Sequence, residues 1–141
     1  MNNRYIFRGK GNPKYNDGEW YYGYLTYDGS DYQIVDSEYG SCKRTVIPET
    51  VGQSTGLKDK NGKLIFKGDV VESRASENKE DWKKWIVTFF DGSFCFEREI
   101  PRKRKHKYEQ NLLCVDEIEL YGLTIVGNIH DDNPELLEVE R

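Results

Sequence analysis

Methionine occurs once in this 141-residue chain, histidine twice, cysteine three times and proline four times. Each scarcity excludes something. Cys42, Cys95 and Cys114 are odd in number, far apart and in no C-x-x-C arrangement, so neither a disulfide framework nor a structural zinc site is expected. Isolated reduced thiols are the expected state, as in a cytosolic protein. No apolar run approaches the roughly 20 residues of a membrane helix, and the start, Met1 to Arg8, returns to charge too soon for a signal peptide. A soluble protein of the cytoplasm, away from membranes, is therefore expected. Two histidines leave little for metal or acid–base chemistry. The Walker loop, the G-x-S-x-G elbow and the zinc-deaminase signature are all missing.

The chain has 13% aromatic residues, including ten tyrosines, and thirteen glycines. This composition favours strands and tight turns over helices. Charged residues make up 33% and hydrophobic residues 36%, and the mean hydropathy is −0.85. A thin core, or one shared between subunits, is implied. The net charge of −4 argues against strong nonspecific nucleic-acid binding.

The central stretch Val51–Val71 carries the clearest local signals. Leu57 leads into a turn, Lys58-Asp59-Lys60-Asn61-Gly62-Lys63, and Leu64-Ile65-Phe66 leaves it. Asn-Gly is favoured where central turn residues need positive φ. Lys67-Gly68-Asp69 punctuates again, and Val70-Val71 opens a β-branched strand. Upstream, Arg4–Arg8 alternates as a first strand, Glu19–Tyr27 is an aromatic strand, Asp28-Gly29 turns, and Tyr32–Asp36 returns. Downstream, the polar run Arg74–Lys84 is loop-like, and Trp85–Phe90 turns at Asp91-Gly92 into Ser93–Glu97. Asn111–Tyr121 fits either a strand or a short helix. Thr124–Ile129 is a last strand, and Asn133-Pro134 caps a short C-terminal helix. The fold expected is mainly β, β-rich α+β at most. It comprises an N-terminal meander of short strands over 1–50 and a subdomain over 51–141 whose strand layout resembles small SH3-like barrels, or one compact domain of 1–141.

Four motifs occur together in order: Phe7-Arg8-Gly9-Lys10, Gly18-Glu19-Trp20-Tyr21-Tyr22-Gly23-Tyr24-Leu25, the Val51–Val71 stretch, and Val126-Gly127-Asn128-Ile129 followed by Asn133-Pro134-Glu135-Leu136-Leu137. In this order they resemble the YopX family of bacteriophage and prophage proteins, over almost the whole chain. The resemblance implies a β-rich fold and a phage or prophage setting in a bacterial host. It supplies no catalytic residue and no cofactor.

Several side chains are candidates for chemistry or binding. Arg102, Lys103, Arg104, Lys105 and Lys107 form a basic run around His106, beside Tyr108. Such a run can neutralise phosphates, with aromatics as stacking platforms; the acidic balance of the chain favours a solvated loop instead. His130-Asp131-Asp132 suggests a metal ligand or a base, but further ligands at metal spacing are missing nearby, and an exposed turn is the simpler reading. Asp59 and Asp69 could pair for acid–base work, yet both sit at turns, where Asp bonds backbone. Cys42 stands beside Lys43-Arg44, which can lower a thiol pKa, with no base or oxyanion arrangement to make it a nucleophile. The aromatic block Trp20–Tyr27 is either sheet core or a binding face. The expectation is a non-enzymatic module without cofactor, binding through a homo-oligomeric contact or to a phage or host protein. The alternative is a nucleic-acid-binding accessory protein using the Arg102–Lys107 loop.

Overall fold

The structure, a computed structural model, describes residues 5–36, 42–73, 77–90, 92–99, 110–114 and 122–131. Within them the chain is mainly β and divides into two compact units, Met1–Leu57 and Lys58–Arg141.

The first unit is a meander. Strands β1 (Phe7–Lys10), β2 (Trp20–Tyr27), β3 (Tyr32–Asp36), β4 (Lys43–Thr45) and β5 (Gly52–Lys58) form an antiparallel sheet in the order β4-β3-β2-β1-β5. Four residues join β2 to β3, with Tyr27 opposite Tyr32. The loop is tied by the Asp28 carboxylate, whose Oδ1 accepts the N–H groups of Ser30 and Asp31 at 2.9 and 2.7 Å. This is the backbone-mimicking turn that Asp favours. The stretch Gly-Gln-Ser-Thr-Gly of β5 has poor strand propensity, and by its own residues the chain predicts the hairpin only from Leu57. Pairing overrides the propensity: Phe7 and Arg8 of β1 register with Gln53 and Gly52, and Ser54 N–H donates to the Ile6 carbonyl.

Among its described residues this unit fully buries two large apolar side chains, Ile34 and Val46. Arg8, Thr50, Ser54 and Thr55 are also buried. The Arg8 guanidinium lies 4.8 Å from the Trp20 ring centre, a cation–π contact that offsets part of the cost of burying a charge.

The second unit contains β6 (Leu64–Phe66) and an antiparallel sheet of β7 (Asp69–Ser73), β8 (Lys83–Phe90), β9 (Ser93–Glu99), β10 (Gln110–Cys114) and β11 (Leu123–Asn128), ordered β10-β9-β8-β7-β11. Its core is fuller: Ile65, Phe66, Val70, Val71, Trp85, Val87, Phe96 and Leu123 are all buried. Register places Val71 opposite Trp85 and Val87 opposite Phe96 on one face. That face runs out at the β8–β9 hairpin, where Phe89 packs edge-to-face on Phe94 with ring centres 5.1 Å apart and is half exposed. Phe90 and Ser93 pair across Asp91-Gly92, so the hairpin expected there forms. Between β7 and β8, Asn78 caps a short 3-10 turn, Lys79–Asp81, by accepting Glu80 N–H.

The SH3-like barrel is not formed among the described residues, where no sheet closes. Closure requires the first and last strands of a sheet to bond to each other. Instead the outward backbone of β11 bonds to the Asp59 turn: Lys60 N–H donates to the Leu123 carbonyl and Ile125 N–H to the Asp59 carboxylate. The 111–121 ambiguity resolves to strand over Gln110–Cys114. The C-terminal helix expected after Asn133 lies outside the described residues. No helix among them is long and apolar enough to cross a membrane.

Candidate functional site: an aromatic hollow on the first sheet

Register fixes which side chains share a face. Leu25 pairs with Ile34, and Tyr27 with Tyr32, so these four lie on one side of the β2–β3 ribbon. Tyr27 and Tyr32 form a tilted ring pair, centres 4.8 Å apart and planes at 33°, with 57% and 39% of their surfaces exposed.

The other wall comes from the 3-10 turn Pro48–Thr50. Proline in its first position lacks an N–H that would have no helical partner. Buried Thr50 holds the turn against β1: its hydroxyl donates to the Ile47 carbonyl at 2.6 Å and accepts Lys10 N–H at 2.8 Å. Ile47 N–H in turn donates to the Lys10 carbonyl. Leu25, Tyr32, Pro48, Glu49 and Val51 thereby line an open hollow of about 460 Å³. Its walls are apolar and aromatic, with one carboxylate, Glu49.

A polar cluster lies further along the same face. Tyr21 donates its hydroxyl to Asp17, and the Arg44 guanidinium sits 5.5 Å from the Tyr21 ring centre. The hydrogen bond from Tyr21 holds the Asp17 carboxyl below its ordinary range, and the same bond raises the phenol. Asp28 is lowered as well, by the Asp31 and then the Ser30 N–H groups. Its bonds to the loop backbone are therefore present above the ordinary aspartate pKa and lost as pH falls through the lower folded value. A carbon-detected NMR titration is expected to place the Asp28 midpoint below that of an aspartate in an unfolded peptide. A midpoint at or above the peptide value contradicts the loop geometry.

The other acidic candidates and the His130 turn are tied to backbone N–H groups. Asp59 and Asp69 are turn carboxylates. Asp59 Oδ1 accepts Asn61 N–H and Lys63 N–H, both at 2.9 Å, and Oδ2 accepts Ile125 N–H at 3.0 Å. Asp69, 2% exposed, accepts Phe66 N–H at 2.8 Å. His130 and Asp131 lie in a turn whose N–H groups both donate to Asn128 Oδ1. Cys42 is an exposed and Cys95 a buried free thiol. Among the described residues no group of three or more His, Cys, Asp or Glu side chains is placed to hold a metal. Arg102, Lys103, Arg104, Lys105 and Lys107 lie outside the described residues.

The aromatic block of β2 divides. Tyr22, Tyr24 and Tyr27 are exposed, while Trp20, Tyr21 and Leu25 are half-buried. Sequence reasoning did not reach Tyr32, Pro48, Glu49 and Val51 as partners of Leu25. The available signal was the near-symmetry of Tyr27-Asp28-Gly29-Ser30-Asp31-Tyr32, which brings two tyrosines together across a short loop.

Fold and site define an antiparallel, mainly β protein of two sheet units, the first carrying an open aromatic hollow. The family model described as YopX protein matches residues 7–138, and the chain belongs to the YopX family. No curated protein matches the chain.

Proposed function

We propose that this protein is a non-enzymatic module, encoded by a phage or prophage and working in the bacterial cytoplasm, that acts by binding, first of all to further copies of itself. One observation carries this reading. The first unit fully buries only Ile34 and Val46 among its described large apolar side chains, yet exposes Tyr22 and Tyr24 together on the face of β2 opposite Leu25 and Tyr27. A tyrosine surface over a thin core is the composition of an interface: tyrosine supplies large contact area at low entropic cost and is enriched at binding hot spots.

Light scattering on the purified protein at tens of micromolar tests it, with and without a pool of short DNA and RNA. The expected mass is a stable multiple of 16.6 kDa, unmoved by nucleic acid. A salt-sensitive shift with nucleic acid would favour the accessory-protein reading through Arg102–Lys107.

A further inference from the structure

We infer that the hollow on the first sheet is a docking site for an extended basic peptide segment, one arginine or lysine side chain lying across the Tyr27–Tyr32 pair with its charge toward Glu49. This rests on the binding reading above and names the partner's chemistry.

Three features converge on it. The hollow's volume, about 460 Å³, falls in the roughly 300–1,000 Å³ range of sites that hold small groups, and the apolar surfaces of Leu25, Pro48 and Val51 suit the methylene stem of a long cationic side chain. Tyr32 lines the hollow and pairs with Tyr27, both residues partly exposed, and an aromatic face attracts a cation within about 6 Å. Glu49 and Tyr32 line the same hollow, so a cation over the Tyr32 ring also lies in the field of a carboxylate. Asp28 and Asp31 stand in the loop that joins the two tyrosines, adding negative charge beside them.

The same acids repel phosphates, which sets a peptide apart from nucleic acid or an anionic lipid surface. Two cations of β4 bear on this charge: Arg44 is engaged over Tyr21 with the Asp17 charge opposing it, and Lys43 acts on the Asp28 carboxylate. Glu49, which lines the hollow itself, is the carboxylate that a bound cation meets.

The experiment is a titration of the full chain with an eight-residue peptide of alternating arginine and glycine, followed by backbone amide NMR shifts. A peptide with glutamate in place of arginine serves as control. The expected result is saturable shifts at Leu25, Tyr32, Glu49 and Val51 with the arginine peptide only. Tyr27→Leu, which keeps apolar area but removes the ring face, weakens binding about fivefold, and Tyr27→Phe restores it. Glu49→Gln weakens it about threefold. Both positions, Tyr27 and Glu49, are exposed, so the variants fold. Equal response to the glutamate peptide, shifts elsewhere, or unchanged affinity in Tyr27→Leu overturns the inference. If the arginine peptide fails while light scattering still reports an oligomer, the docking inference is wrong and the wider reading stands; if both fail, both are wrong.

Discussion

Replacing Gly23 with alanine is expected to cost the first unit roughly 3 kcal/mol or more, a large part of the stability of a small domain. Gly23 sits in the middle of β2, between Phe7 on one side and Asp36 on the other. A Cβ built there meets the Val35 carbonyl oxygen at 2.0 Å and its carbon at 2.9 Å. The obstacle is the backbone of a paired strand, which has no rotamer through which to yield. Its φ of +158° adds a conformation that side chains rarely adopt. Glycine within a strand marks such close backbone approach, which gives Gly23 of the G-x-W-x-x-G-x-L motif its physical reason. Gly29→Ala is the matched control. Gly29 also has positive φ, +96°, but open space around its missing Cβ, so only the backbone strain of about 1–2 kcal/mol is expected. Urea denaturation followed by NMR at Ile34 and Val46 separates the two. Equal losses at both positions would mean that the strands are not packed as closely as the structure places them.

Removing the Asp59 carboxylate strikes the second unit on a comparable scale. Asp59, 8% exposed, serves three backbone N–H groups: two in its own turn and one on β11, 66 residues away in sequence. Hydrogen bonds to a charged acceptor contribute about 1.5–3 kcal/mol each when intact, and losses within one network do not add. Asp59→Ala is expected to destabilise the unit by about 3 kcal/mol. Asp59→Asn retains a single carbonyl oxygen, which serves either the turn or Ile125, while its amide meets the other N–H donor to donor. A smaller loss, about 1–2 kcal/mol, follows. Hydrogen exchange at the Ile125 amide is the specific readout. Its protection should fall in both variants further than that of Val70 or Val87. Unchanged protection at Ile125 would show that the carboxylate does not secure β11.

Asp59 also shows how far the sequence could be read. Asp-Lys-Asn-Gly announced a hairpin turn, and the turn is there. Its geometry differs from a two-residue loop centred on Asn-Gly. Gly62 N–H donates to the Asp59 carbonyl and Asp59 N–H to the Lys63 carbonyl. Lys60 and Asn61 are thus the central pair, and Gly62, at φ +81°, follows in the left-handed position of a bulge. The turn's long-range role was not readable, because no local pattern encodes that an aspartate will reach the edge of a strand 66 residues on. Strands dense in Val, Ile, Phe and Trp, such as β7 and β8, were legible from composition. β5 was not, because its partner β1 supplies what its own residues lack. The hollow was hidden for a related reason. Leu25, Tyr32, Pro48 and Val51 are each ordinary in sequence, and only the β2–β3 register and the Thr50 tether bring them to one rim. The Gly23 requirement likewise depends on where Val35 lies, not on anything within β2.

The central claim, that the Tyr22 and Tyr24 face of the first unit is where copies of this protein meet, is tested most directly by the solution mass of the wild type beside a variant carrying Tyr22→Ser and Tyr24→Ser. Both residues are exposed, so the variant should keep the fold, as the NMR signals of Ile34 and Val46 will show. The account predicts an oligomer for the wild type and a 16.6 kDa monomer for the folded variant. A wild type that is monodisperse and monomeric at tens of micromolar, or a folded variant that assembles as the wild type does, would contradict it.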